Sequence, residues 1–185
     1  MKDLASHILD IVQNSVRARA SEIEITVAEH RGKDLLAIEI KDNGEGMSSN
    51  VQKQIFNPFF TTRSQRDIGL GIPLLKQRAE QAGGELRLTS QKEAGTTVYA
   101  EFKLSHWDCP PLGEIAETVS LLITAYPDIQ VVYNHQTDNG KYSIDTCQAK
   151  QMYPDSTNGM FQILRNIQAI LQQNLENIEA YYFNY

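Results

Sequence analysis

The sequence predicts an α+β fold, a two-layer α/β sandwich with a small α+β unit after it. Three observations lead there. Residues 3–19 carry Leu4, Ile8, Leu9, Ile11, Val12 and Val16 at helical spacing, with a polar opposite face. Ser21 to Ala28 and Leu35 to Lys41 alternate apolar with polar side chains, the signature of half-buried strands. A second long helix and a second pair of alternating strands follow, so hairpin-joined strands share one apolar side with two helices.

Taken in order, Asp3 is a suitable cap for the first helix. Ile23, Ile25 and Val27 then line one side of a strand, with Glu22, Glu24 and Thr26 on the other. Arg31-Gly32-Lys33-Asp34 reads as a hairpin turn, and Leu36, Ile38 and Ile40 point inward from the returning strand. Asp42-Asn43-Gly44-Glu45-Gly46-Met47 ends that strand, because its two glycines favour backbone angles that other residues avoid. Val51 to Phe56 predicts a short helix stopping at Asn57-Pro58. Gly71 to Ala82 predicts a long one, with Ile72, Leu75 and Ala79 buried, Pro73 near its start and Gly83-Gly84 as its cap. Glu85 to Ser90 and Thr96 to Lys103 are two further strands. Beyond them come a helix from Leu112 to Ala125, a strand from Ile129 to His135 and the turn Asp138-Asn139-Gly140. A strand from Lys141 to Thr146 and a last helix from about Met160 complete the series.

Charge divides the chain. Residues 1–104 hold fourteen basic and fourteen acidic side chains, whereas residues 105–185 hold three and nine, which accounts for the net −6. The contrast suggests two units, 1–104 and 105–185, joined near Ser105 to Pro111. An acidic second unit argues against a duplex-DNA or anionic-membrane surface there. No apolar run approaches bilayer length and the first residues are too polar for a signal peptide, so a cytoplasmic protein is expected. Cys109 and Cys147 lack metal-ligand spacing and read as reduced thiols.

Four groups of residues carry possible chemistry. Asp10 and Asn14, four apart on a helix, put a carboxylate and a carboxamide on one face, a spacing that ordinarily marks a solvated surface. The carboxamide oxygen suits Mg²⁺, and the carboxylate suits polarising a water. At Asp42 a carboxylate ends a buried strand and can accept from an exocyclic amine, while Gly44 and Gly46 let a planar base lie against the main chain; a charged β-turn is the plain alternative. Gly69-Leu70-Gly71 opens a helix and leaves room for phosphate oxygens near unpaired amides. Arg63 and Arg66, just before it, are placed to pair with phosphates.

The order of these pieces, with Ile55-Phe-Asn-Pro-Phe-Phe-Thr-Thr-Arg63 between them and Gly95-Thr-Thr-Val after, resembles the histidine-kinase-like ATPase (GHKL, or Bergerat-fold) superfamily over residues 1–104. The resemblance implies ATP as ligand, adenine on Asp42 and Mg²⁺ held through Asn14. It implies a lid from about Thr61 to Ile68, and a pocket shaped by Gly44, Gly46, Gly69 and Gly71 with Thr96 or Thr97 near the adenine. Arg17 fits the basic position that contacts phosphates in kinase members, and Met47, Phe59, Arg63 and Leu70 complete the nucleotide-binding set. Asp10 would be the catalytic carboxylate. It stands where mismatch-repair and topoisomerase members have Glu, one methylene longer, and Asp67 replaces one of the glycines many kinases carry at the lid.

A sensor kinase carries a phosphoacceptor helical hairpin before this domain, and a stand-alone domain without that hairpin is expected here. His7 lies one turn before Asp10 and is expected to be a surface or semi-buried structural residue; His30, His106 and His135 are expected to be structural too. Trp107, beside Pro110-Pro111, is expected to plug the two halves together. Three functions remain open: phosphorylation of a partner protein in trans, an ATPase that drives a conformational or dimerisation switch, and a nucleotide-binding module without turnover. The first is favoured, with a homodimer possible and no nucleic acid or membrane partner expected.

Overall fold

The computed structural model describes residues 3–56, 71–152 and 160–180. Helix α1 (Leu4–Arg17) begins at Asp3, whose carboxylate accepts from the Ser6 amide at 2.8 Å. Strands β1 (Glu22–His30) and β2 (Leu35–Asp42) are joined by a single 3₁₀ turn at Arg31–Lys33, with Asp34 left-handed at φ 53°. The short helix α2 (Ser49–Gln54) and the longer α3 (Gly71–Gln81) follow, then the hairpin of β3 (Glu85–Gln91) and β4 (Gly95–Lys103). Helix α4 (Ile115–Ala125), strands β5 (Gln130–Thr137) and β6 (Gly140–Asp145), and helices α5 (Thr146–Met152) and α6 (Met160–Asn177) complete the order. Thr146, expected at the end of a strand, instead starts α5.

The six strands form one sheet in the order β3-β4-β2-β1-β5-β6. Every pairing is antiparallel except β1 with β5, which are parallel with Ile23 opposite Val131 and Val27 opposite His135. A parallel neighbour needs a crossover connection, and α4 supplies it, packing against α1 on the way. One side of the sheet is buried: Ile23, Ile25 and Val27 from β1, Leu36, Ile38 and Ile40 from β2, Val98, Ala100 and Phe102 from β4, Val131 and Tyr133 from β5. The other side carries Glu24, Thr26, Glu39, Tyr99 and Asn134, none of them fully buried. This is the α+β sandwich that the alternation predicts, an antiparallel-rich sheet under a layer of helices.

The expected join near Ser105 to Pro111 meets a continuous sheet. The α1 amides of Leu4 and Ala5, which no residue within the helix can satisfy, donate to the carbonyls of Pro111 and Leu112 at 3.0 and 2.9 Å. Two expectations are corrected. Trp107 is 92% exposed rather than a plug, since the chain turns outward at His106–Asp108. His7 is buried rather than half-exposed, because it shares the inner stripe of α1 with Leu4, Ile8 and Ile11. Among the described residues no helix is long and apolar enough to cross a membrane.

Candidate functional site

Asp42 stands on the last rung of β2, on the helix-facing side, only 8% exposed. Three donors converge on its carboxylate. Ser15, from the buried stripe of α1, donates its hydroxyl to Oδ2 at 2.7 Å. The Gly44 amide donates to Oδ1 at 2.9 Å and the Thr96 amide to the same oxygen at 3.3 Å. A buried carboxylate without such donors would be costly, and these three fix its orientation.

The loop after Asp42 is held down by glycine. A Cβ on Gly44 would lie 2.7 Å from the Ala18 carbonyl oxygen, too close for any side chain. Gly46, at φ +62°, brings its backbone against Gln91, and Met47 then donates its amide to Ser90 Oγ at 2.8 Å. Ser90 also contacts the Gly95 carbonyl and Thr96 Oγ1, each at 2.9 Å. Gln52 of α2 ties Met47 to β3 through its amide, which donates to the carbonyls of Met47 and Ser90 at 3.0 and 2.6 Å. Asp42, Gly44, Gly46, Met47 and Thr96 are therefore brought together at one end of the sheet.

Thr97 is not among them. It pairs with Lys41 and Thr89, so strand alternation turns it to the opposite side of the sheet from Thr96. Asn43, inside the Asp42 motif, is structural: its Oδ1 accepts the amides of Ser21 and Glu22 at 2.9 and 3.0 Å.

The other end of the site lies along α1. Asp10 reaches the start of α3, where a Cβ on Gly71 would overlap Asp10 Oδ2. That contact places the carboxylate beside the first turn of a helix, where unpaired amides and the helix dipole favour negative charge. One turn on, Asn14 Oδ1 accepts from the exposed Arg17 guanidinium at 3.1 Å. His7, a turn before Asp10, is buried with no partner for Nδ1 among the described residues. Burial, together with nearby positive charge that includes Arg78, lowers its pKa to about 4. Phe59, Arg63, Arg66, Gly69 and Leu70, with the whole expected lid, lie outside the described residues.

The site residues that sequence reasoning missed are Ser15, Ser90 and Gln52. Ser15 continues the apolar series Ile8, Ile11, Val12, and Ser90 continues the inward series Leu86, Leu88. A hydroxyl at an inward position is the signal that points to them.

The family profile of histidine kinase-, DNA gyrase B- and HSP90-like ATPases matches residues 2–106. The chain belongs to this family. An ATP-binding domain is what membership implies, and the geometry fits a nucleotide: a buried acceptor at one end, a glycine-opened helix start at the other. The chain is 35% identical over 91 residues to the signal transduction histidine-protein kinase AtoS of Escherichia coli, a match covering 49% of this chain and 15% of that protein. It is 28% identical over 88 residues to sporulation kinase C of Bacillus subtilis, covering 48% of this chain and 20% of that one. These matches thus span a fifth or less of each kinase. In fold it is similar to the N-terminal domain of a DNA repair protein, with a TM-score of 0.60 at 16% identity over 90% of this chain and 57% of the other.

Proposed function

We propose that this protein binds Mg·ATP along the line from Asp42 to Gly71 and passes the γ-phosphate to a separate partner protein. The observation that carries the reading is Asp42, a buried carboxylate with three fixed donors, one of them Ser15 of α1, the helix that also carries Asn14 and Asp10. The exocyclic amine of adenine would meet the carboxylate. The triphosphate would extend past Asn14 toward the α3 start, with Arg17 moving from Asn14 to a phosphate.

The residues near the triphosphate suit magnesium. A single carboxamide oxygen is a hard donor, and Mg²⁺ in nucleotide sites usually takes few protein ligands, keeping waters and phosphate oxygens for the rest. Bound there, the metal would neutralise phosphate charge. The protein's own part is positioning: Asp42 fixes the base, the α1 face aligns the triphosphate, and the α3 dipole favours charge at its end. Asp10, next to that dipole, is the carboxylate available to a reacting hydroxyl or water. The similarity to a signal transduction histidine-protein kinase and to a sporulation kinase supports transfer over hydrolysis.

Calorimetric titration with Mg·ATP tests the site, and a chase of labelled γ-phosphate into protein from the native host tests the transfer. Steady release of phosphate without any labelled protein, abolished in Asp10→Asn, would favour an ATPase switch and sink the transfer step.

A further inference from the structure

An ionised carboxylate offers about four lone-pair positions. At Asp42 the Gly44 and Thr96 amides take those on Oδ1, and the Ser15 hydroxyl takes one on Oδ2. Ser15 Oγ also lies 3.4 Å from the Ile11 carbonyl, but the charged contact at 2.7 Å is shorter and stronger, so the proton points to Asp42. A single accepting position remains, on Oδ2.

Ser90 is committed in the same way. Its oxygen accepts the Met47 amide at 2.8 Å and lies 2.9 Å from both the Gly95 carbonyl and Thr96 Oγ1. A carbonyl can only accept, so the Ser90 proton goes to Gly95. The Thr96 hydroxyl must then be the donor in its contact with Ser90, and it keeps only lone pairs for anything else.

We infer that Ser15 and Ser90 are positioning residues that set the base specificity of this site. With three hydroxyl protons directed inward, Asp42 and Thr96 meet a ligand as acceptors alone. Such a floor takes the exocyclic amine of a 6-aminopurine and repels the keto oxygen of a 6-oxopurine. This rests on the nucleotide reading of the site and adds to it two residues and a rule.

The test is the affinity of the full chain for three magnesium nucleotides: ATP, inosine triphosphate with a 6-keto group, and purine riboside triphosphate with hydrogen at that position. The wild type should prefer ATP over each of the others by about tenfold or more. Ser90→Ala lets the Thr96 proton turn toward the ligand, and should narrow the ATP-to-inosine preference by about tenfold. Ser15→Ala loosens the carboxylate, and should narrow the ATP-to-purine-riboside preference by about fivefold. Ser15→Thr and Ser90→Thr keep the hydroxyls and should retain the wild-type ratios; they also serve if an alanine variant does not fold. Affinities for all three nucleotides falling by one common factor in the alanine variants would reduce both serines to a structural role and overturn the inference. A wild type that binds the three alike overturns it alone, whereas a wild type that binds none overturns the nucleotide reading as well.

Discussion

Two buried carboxylates lie at opposite ends of the β1–β2 pair, Asp42 opposite Ile23 and Glu29 opposite Leu36, and their neighbours differ in kind. Asp42 is met by two amides and a hydroxyl. Glu29, 1% exposed, is met by an imidazole: His135 Nε2 lies 2.7 Å from its Oε1, and the Tyr133 hydroxyl lies 2.6 Å from His135 Nδ1. Burial pushes the Tyr133 hydroxyl well above its ordinary pKa, so it stays a neutral phenol against the ring. The nearby Cys109 thiol is likewise pushed up to about 11, by burial and then by the Asp34 and Glu29 carboxylates, and stays protonated. The Glu29 cluster binds β5 to β1 inside the core, while the Asp42 cluster opens at the sheet's end beside α1. A buried acid alone therefore does not mark a site; the setting of its donors does.

The largest expected effect breaks the structural member of the pair. His135→Ala takes from buried Glu29 its imidazole partner, and losing one side of a buried hydrogen bond to a charged group costs about 3 kcal/mol. Urea unfolding should show this loss, with ATP affinity of the remaining folded protein unchanged. A loss below about 1 kcal/mol would mean that Glu29 finds another partner at no cost.

Asp42→Asn strikes the other member. It replaces an accepting oxygen by a donor against the Ser15 hydroxyl or the ligand's amine, and should lower ATP affinity on the order of a hundredfold in calorimetry. Its effect on stability should be smaller than that of His135→Ala. An unchanged affinity would move the base elsewhere.

Much of this contrast was legible in the residues. Asp42 with Gly44 and Gly46 after an alternating strand announces a buried acceptor under a flexible loop, and the α1 periodicity places Asp10 and Asn14 on a shared face. Glu29 and His135 were not legible as partners, because they are 106 residues apart and meet only through the parallel pairing of β5 with β1. Local periodicity predicts strands but says nothing of which strand lies beside which. Trp107 failed for a related reason: an aromatic beside Pro110-Pro111 suggests burial by type, whereas the turn at His106–Asp108 decides its direction. Thr96 and Thr97 could not be separated until the register put Thr96 opposite Asp42.

The Asp10–Gly71 contact at the other end of the site allows a tighter comparison. Gly71→Ala puts a methyl group where Asp10 Oδ2 lies, and the carboxylate must turn aside at a cost of about 1 kcal/mol. Combining it with Asp10→Ala should recover most of the loss, a non-additivity that a double-mutant cycle in denaturant measures. Additive losses would show that the two residues do not meet in solution.

His7 gives that end a pH signature. Its folded-state pKa of about 4 lies below the ordinary 6.5, chiefly through burial. Between those values the unfolded chain carries a proton that the folded chain does not, so stability falls as pH drops through this window and is regained above it. His7→Phe removes the titrating group and should flatten the urea midpoint between about pH 6.5 and 5 relative to wild type. Parallel profiles for the two proteins would show that folding does not depress the His7 pKa.

Arg17→Ala should have the smallest effect on stability, below about 0.5 kcal/mol, because an exposed contact to Asn14 is well screened. Its value lies in two opposing consequences for the ligand. The guanidinium and a magnesium ion would compete for Asn14 Oδ1, so removing Arg17 eases metal entry while taking a positive charge from the triphosphate. ATP affinity should therefore fall by several-fold in excess chelator but by less with Mg²⁺ present. An equal fall under both conditions would separate Arg17 from the metal, leaving Asn14 and Arg17 as independent contacts rather than alternating ones.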